Sequence, residues 1–214
     1  MPRNKFRTVQ DAIALIPDGA TIGLVGGGSG LQEASYLFAE VERRFLTTGS
    51  PNRLTLVHAL GIGDRKERGL NRFAHEGMVA KVIGGHWVWS PRMQQLAADN
   101  LIEAYVLPGG VVGQLYREIG AGRPGLFTHV GLQTFVDPRL GGGRMNAAAK
   151  DTLTEVLEFD GREVLRYKPF PVDVALLRGS YADADGNVSF TQECANLDMF
   201  DLALAAHNSG GKVI

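Results

Sequence analysis

The sequence predicts an α/β fold: an open, mostly parallel sheet with helices on both faces and a small β-rich insertion. Three observations carry that expectation. Short β-branched runs alternate with amphipathic stretches, as in layered α/β domains. Glycine clusters follow several of these runs directly, where a strand has to give way to a loop or a helix. The composition is that of a packed domain, with 44% apolar and 21% charged residues, both near globular averages. The chain of 214 residues is long enough for one large core. No stretch rich in Pro, Ser or charge marks a boundary and no internal repeat is present, so 1–214 is read as a single domain.

Each element has its own signal. Val9, Ile13 and Ile16 recur at helical spacing until Pro17-Asp18-Gly19 stops that helix. Thr21 to Val25 reads as a buried strand running into Gly26-Gly27-Gly28-Ser29-Gly30, after which Leu31, Ala34, Leu37 and Phe38 repeat at helical spacing. Arg53 to Ala59, Val79 to Ile83 and Glu103 to Leu107 are the next strands. Between the last two, Ser90 as N-cap and Pro91 at the first helical position start a helix expected to bury Met93, Leu96 and Leu101.

Beyond Thr128 the pattern loosens into an extended loop carrying Asp137-Pro138-Arg139 and Gly141-Gly142-Gly143. Leu153 to Phe159 and Glu163 to Tyr167 flank Asp160-Gly161, a strong hairpin signal. Asp173 to Leu177 is another buried strand, and Asp185-Gly186-Asn187 turns the chain toward Val188 to Phe190. A last helix is expected from about Cys194 to His207, with Asn208-Ser209-Gly210-Gly211 as its C-cap. Lys212, Val213 and Ile214 read as the first residues of a strand.

Charge and cysteine content limit the function. With 22 Lys plus Arg against 23 Asp plus Glu, there is no electrostatic case for nucleic-acid or anionic-membrane partners. The single cysteine, Cys194, excludes an intramolecular disulfide and favours a reducing compartment. No apolar run approaches a membrane span. The basic stretch Met1 to Arg7 leads to Gln10 and Asp11, which interrupt any signal-peptide core. The expectation is a soluble cytoplasmic protein.

The candidate chemistry lies in three glycine loops. Gly26 to Gly30 leaves a strand and enters a helix, so its amides can hold an anion or a developing oxyanion. It lacks the Lys-Ser/Thr of a P-loop, and its spacing is not the dinucleotide fingerprint. A tight turn with close packing explains it as well. Gly84-Gly85-His86-Trp87 is the second loop; His86 can bind or catalyse there, or be a packed histidine beside Trp87 and Trp89. Leu107-Pro108-Gly109-Gly110 is the third. These loops follow strands expected to be parallel neighbours, and ligands of open α/β sheets sit at the carboxyl ends of strands. Close backbone approach suits a thioester or a phosphate better than a metal. His58, His75, His86, His129 and His207 are scattered, so no metal site is expected. Cys194 has no histidine partner nearby in sequence, and neither a Gly-x-Ser-x-Gly elbow nor a Ser-x-x-Lys pair occurs.

Longer motifs add a resemblance. Gly61-Ile62-Gly63-Asp64, Arg68-Gly69-Leu70, His75-Glu76-Gly77, Gly84-Gly85-His86-Trp87 and Ser90-Pro91 resemble the family I coenzyme A transferases, in the branch with propionate and acetate CoA-transferases. So do Pro124-Gly125, Thr134-Phe135-Val136-Asp137-Pro138-Arg139, Gly142-Gly143-Arg144-Met145-Asn146 and the stretch from Asn208 to Ile214. The resemblance covers nearly the whole chain in one order. It implies CoA transfer between short-chain acyl groups through an enzyme glutamyl-CoA thioester, with CoA or acyl-CoA as substrate and no tightly bound cofactor. It also implies that Gly26, Gly27, Gly28, Ser29, Gly30, Pro108, Gly109 and Gly110 line the acyl pocket or hold oxyanions, and the second glycine loop adds Gly85 and His86 as candidates beside them.

Two departures stand out. The family usually has Pro-Gln-Gly where this chain has Pro108-Gly109-Gly110, so the lost amide is replaced by water, by Gln114 or by nothing. The family's nucleophilic glutamate lies in a C-terminal half that this chain does not reach. Glu33, Glu76, Glu118 and Glu193 do not match it and are expected on helix surfaces or in local caps. The expected partner is therefore that C-terminal half, fused or separate, within a homo-oligomer; a chain cut short there would be inactive alone and would self-associate or be poorly soluble. Two other classes remain open: a sugar-phosphate isomerase, with Arg65 near the loops, and a non-catalytic acyl- or sugar-sensing module.

Overall fold

Residues on the first strand, β1 (Thr21–Leu24), point alternately to two sides, and each side meets a different set of helices. The structure is a computed structural model that describes residues 4–214. Of the basic N-terminal stretch, Met1, Pro2 and Arg3 lie outside the described residues. On one face Ile22 and Leu24 join Leu54, Leu56, Val82 and Ala104 from β2 (Leu54–His58), β3 (Val79–Gly84) and β4 (Glu103–Val106). That face is covered by α1 (Val9–Ala14), α2 (Ser35–Thr48) and α3 (Pro91–Ala98), which contribute Ile13, Phe38, Val41, Met93 and Ala97. The opposite face, with Val57, Ile83 and Tyr105, packs on α4 (Gly109–Gly120) and α5 (Met199–Asn208).

Every pairing in the main sheet is parallel, in the order β11-β8-β1-β2-β3-β4, with β8 (Val174–Leu176) and β11 (Lys212–Val213) completing six strands. Strand β1 lies where the order reverses: the chain goes on to β2 on one side and returns as β8 on the other. In open parallel sheets such a reversal opens a crevice at the carboxyl ends. The predicted α/β class with helices on both faces is therefore observed.

The β-rich insertion is an antiparallel sheet of β5 (Leu126–Thr128), β6 (Thr154–Phe159) and β7 (Arg162–Tyr167), in the order β5-β7-β6. Asp160 and Gly161 make the hairpin turn with φ of 51° and 73°, the left-handed pair a two-residue turn requires. The preceding loop is built around Asp137, which accepts the Gln133 amide at 3.0 Å and pairs with Arg139 at 2.7 Å. The Arg139 guanidinium holds that carboxyl well below the usual range. The same loop covers the sheet edge: Val106 N donates to Gly143 O at 2.8 Å and Met145 N to Ala104 O at 2.9 Å. Backbone groups that an edge strand leaves open are thereby paired.

Three expectations need correction. The helix after β1 starts at Ser35 rather than Leu31, because Ser29, Gly30 and Gln32 take φ of 65°, 89° and 57° and fold the chain back first. Leu101 is exposed, since α3 ends at Ala98 and Asn100 turns left-handed before β4. The last helix starts at Met199; the chain before it holds a two-stranded hairpin of β9 (Tyr181–Ala182) and β10 (Val188–Ser189) and then an irregular segment. Gly210, at φ 77°, closes that helix as expected.

The contact between α5 and the sheet is close because Gly23 leaves room for Leu202, which is fully buried against it. Leu202→Ala should cost roughly 2–5 kcal/mol, the usual range for a buried leucine. Urea unfolding of the two proteins gives the difference. A change below about 1 kcal/mol would mean that this helix carries little of the core.

Candidate active site

Four loops meet at the carboxyl ends of β1 to β4, one more than the glycine clusters alone suggest. The three loops singled out from the sequence follow β1, β3 and β4, so the first of those strands is not a neighbour of the other two. Strand β2 separates them, and its own loop carries Gly61 and Gly63. That loop is the missing centre of the site. Ser29 N donates to Gly63 O at 2.9 Å, and Gly28 pairs with Gly63 in a parallel bridge. Gly27 N donates to Leu31 O at 2.7 Å. Two amides of the Gly26–Gly30 loop are therefore already engaged, and helix α2 begins too late for its N-terminus to belong to this loop.

The glycines are there because peptides approach one another more closely than side chains allow. A Cβ on Gly85 would overlap Ala59 O, and one on Gly109 would lie 2.7 Å from the same oxygen. A Cβ on Gly28 would overlap the Trp89 indole. On Gly61 it would lie 2.5 Å from His86 Nδ1 and 2.6 Å from Trp89 Cδ1. Gly30 and Gly110 have nothing within 4 Å and border open space. His86 is exposed at this edge, not packed away. Helix α4 starts at Gly109, directly after β4, so the unpaired amides of its first turn end in the same crevice. Arg65 stacks on Trp89 at 4.6 Å and donates its backbone N–H to Trp89 O at 2.9 Å. Gln114 is exposed one turn along α4.

Two ionisable groups lie beneath the loops. Glu33 is 1% exposed, which corrects the expectation of a helix surface or a cap. Its Oε1 accepts the Gly63 amide at 2.7 Å, while Oε2 is buried without a partner. Burial pushes its pKa up to about 7, against the pull of the Gly63 bond; Asp64 pushes in the same direction as burial, and Arg68 opposes it. His58, at the end of β2, is also fully buried. Its Nδ1 lies 2.7 Å from Leu60 O, so Nδ1 carries the proton and Nε2 is left as an unpartnered acceptor. Burial brings its pKa down to about 4. Neither residue was singled out as a site residue from the sequence. The other glutamates agree better with expectation: Glu76 is exposed, Glu118 pairs with Arg123 at 3.0 Å and Glu193 with Arg178 at 3.3 Å. Cys194 is exposed. Among the described residues no His, Cys, Asp and Glu side chains gather as a metal-ligand set, and no helix is long and apolar enough to cross a membrane.

The sequence profile of the family described as Coenzyme A transferase matches residues 6–208. The chain belongs to the coenzyme A transferase family. It is 39% identical over 207 residues to the acetate CoA-transferase YdiF of Escherichia coli strain K12, a match covering 97% of this chain and 39% of that protein. It is 44% identical over 212 residues to the caffeate CoA-transferase of Acetobacterium woodii, covering 98% and 40%. A solved acyl-CoA transferase YdiF of Escherichia coli O157:H7, in a thioester complex with CoA, superposes with a TM-score of 0.96 at 39% identity, covering 99% of this chain and 41% of that one. The chain thus spans about two-fifths of the length of the curated relatives it matches.

Within this CoA-transferase chain, the close contact at Ala59 gives a stability test. Gly85→Ala should cost more than about 2 kcal/mol, because its new carbon meets a backbone oxygen that cannot move alone. Gly110→Ala, facing open space, should stay within about 0.5 kcal/mol. Equal effects in thermal or urea unfolding would show that the Ala59 contact is slack.

The buried acid gives a second test, in which the sign follows from linkage. Glu33 binds its proton more tightly folded than unfolded, so its contribution to stability is present below about pH 4.5, falls as pH rises and levels off above about 7. His58 does the reverse: its contribution is complete above about pH 6.5 and is lost as pH falls toward 4. In the wild type the two slopes oppose each other. Glu33→Gln removes only the first, so its stability relative to wild type should climb between pH 4.5 and 7, by at most about 1.4 kcal/mol per pH unit. A difference that is flat with pH in urea titrations would contradict the raised pKa.

Proposed function

We propose that this chain forms the N-terminal half of a CoA-transferase that moves CoA from a short-chain acyl-CoA to acetate or a similar carboxylate. The observation that carries the proposal is the glycine-lined meeting place of the loops after β1 to β4 at the carboxyl end of the sheet. In it, backbone amides and the first turn of α4 can face a reacting carbonyl without side chains intervening. The relatives' names, for acetate and for caffeate, support the reaction class and leave the acyl group broad.

In the proposed reaction a glutamate carboxylate attacks the acyl-CoA carbonyl, a C–O bond forms and CoA leaves as thiolate. The thiolate then attacks the glutamyl carbonyl of the mixed anhydride, releasing the acyl carboxylate and leaving a glutamyl-CoA thioester. The acceptor carboxylate runs the same two steps in reverse. A carboxylate is already ionised at neutral pH, so the demand falls on oxyanion donors and on exclusion of water rather than on a base. In this proposal Gly26–Gly30, Gly85 and Pro108–Gly110 wall the acyl pocket, and His86 at the edge offers a hydrogen bond to the substrate.

The nucleophile is proposed to come from a C-terminal half, fused or separate, as the two-fifths coverage of the relatives suggests. Glu33 is sealed under the loops, Glu118 and Glu193 are paired, and Glu76 is exposed in the turn that leads into β3, at the end of that strand away from the loops. The assembled enzyme is read as a cytoplasmic homo-oligomer without a tightly bound cofactor.

The test is complementation. The chain alone should show no exchange of CoA between acyl-CoA and acetate, and adding a separately produced C-terminal half should restore exchange with ping-pong kinetics. Exchange by the chain alone, or none from a pair shown to assemble, would overturn the proposal.

A further inference from the structure

We infer that Glu33 is a positioning residue of this site, a buried clamp that sets the Gly63 peptide and, through it, the spacing of the loops after β1, β2 and β3. The inference rests on the proposed function for its catalytic consequence, and on geometry alone for the clamp itself.

The fold makes room for this one carboxyl from both sides. A Cβ on Gly26 would lie 2.6 Å from Glu33 Cγ, and one on Gly69 would lie 2.9 Å from Glu33 Oε2. The residue before it, Gln32, is left-handed and buried and donates its side-chain amide to Ala195 O, so the backbone that aims Glu33 inward is anchored independently. What the carboxyl grips is the centre of the crevice. Gly63 gives its N–H to Glu33 and receives Ser29 N on its carbonyl. A Cβ on Gly63 would overlap Trp89 O, and that oxygen also accepts from Asn71 Nδ2 at 3.2 Å and from Arg65 N at 2.9 Å. The Trp89 ring in turn covers Gly28. Three loops therefore take their separation from a residue that Glu33 holds in place.

A neutral acceptor would satisfy the Gly63 amide at less cost. A carboxylate here leaves Oε2 buried and unpartnered, which is unfavourable unless something is gained. The gain is a charge-assisted bond, shorter and stronger than a neutral one. Burial holds the group near neutrality, so the strength of the clamp changes over the working range of pH. The charged groups that face it are Asp64 and Arg68, both on the segment after β2.

The experiment has an arm that needs no catalysis. In 15N-labelled chain, the Gly63 amide proton shift should titrate with a midpoint near 7, and in Glu33→Gln that titration should vanish. In the enzyme assembled with its C-terminal half, Glu33→Ala should lower kcat/KM by about 10- to 100-fold, as small misplacements at an active site do. Glu33→Gln should recover most of that loss and flatten the acid side of the kcat/KM profile. A residue that only stabilised the fold would lower the melting temperature and leave the pH profile unchanged. If the wild-type pair fails to exchange CoA, the proposed function fails and the amide titration alone judges the clamp. A Gly63 amide with no midpoint between pH 6 and 8 overturns the inference. So does Glu33→Ala with wild-type kcat/KM and pH profile. Should Glu33→Ala not fold, Glu33→Gln decides by the same profile.

Discussion

The carbonyl of Ala59 lies between two glycines, and much of the crevice follows from that contact. Parallel strands run about 4.8 Å apart while their ladder bonds last, and here bonding continues past the strand ends: Gly85 N donates to His58 O at 2.9 Å and Leu107 N to Gly84 O at 3.3 Å. The loops therefore leave the sheet still held at strand spacing. Side chains on the facing positions would have to pry them apart, so Gly85 and Gly109 carry none. Once the peptides are this close, the wall of the crevice is made of N–H and C=O groups. Such groups cost no reorganisation when charge develops on a bound carbonyl.

The layer beneath the loops is polar and buried, which is an expensive arrangement. Glu33 and His58 each leave one atom without a partner, and Trp87 Nε1 beside His58 is also unpartnered. The Cβ that Gly84 lacks would lie 2.5 Å from His58 Nε2 and 3.0 Å from Trp87 Nε1, so absence of a side chain on β3 is what admits both rings. Burial shifts the acid up and the base down, and both then tend toward their neutral forms at mid pH. The crevice thus rests on two buried groups whose pH responses oppose each other. A fold selected only for stability would fill these positions with apolar side chains. Both lie directly under the loops, Glu33 bonded to the Gly63 amide and His58 to the Leu60 carbonyl.

The sheet was legible in the sequence because its strands are short apolar runs broken by glycine, and because the Asp160-Gly161 turn needs a backbone that these residues supply readily. Gly26, Gly27, Gly28, Gly85 and Gly109 were legible for the same reason: glycine at a strand end announces a close approach. What escaped was whatever depended on partners distant in sequence. Ser29 and Gln32 adopt left-handed backbone with residue types that do not announce it, which displaced the start of α2. Glu33 reads as an ordinary helix glutamate until Gly63, thirty positions on, is brought against it. Gly61 and Gly63 were visible as part of a motif, but only the pairing of β1 with β2 puts them at the centre of the site. A usable signal existed: a glutamate three residues after a glycine loop, in a chain whose next strand is followed by a loop carrying Gly-x-Gly.

The glycine at position 109 takes on a different meaning in this setting. The family resemblance implies a glutamine there, and a glycine in its place implies either a larger pocket or an acyl group held differently. Yet a Cβ at 109 would stand 2.7 Å from Ala59 O, so a longer side chain could enter only after the β2 and β4 loops moved apart. The loops have closed into the space that such a side chain's first carbon would need. Gln114 is a turn further along α4 and exposed, and Gly110 borders open space. The donors left at this position are the main-chain amides at the start of α4, which the helix dipole favours for negative charge. With glycine at 109, the polar groups offered at this position are peptide groups held close to the sheet.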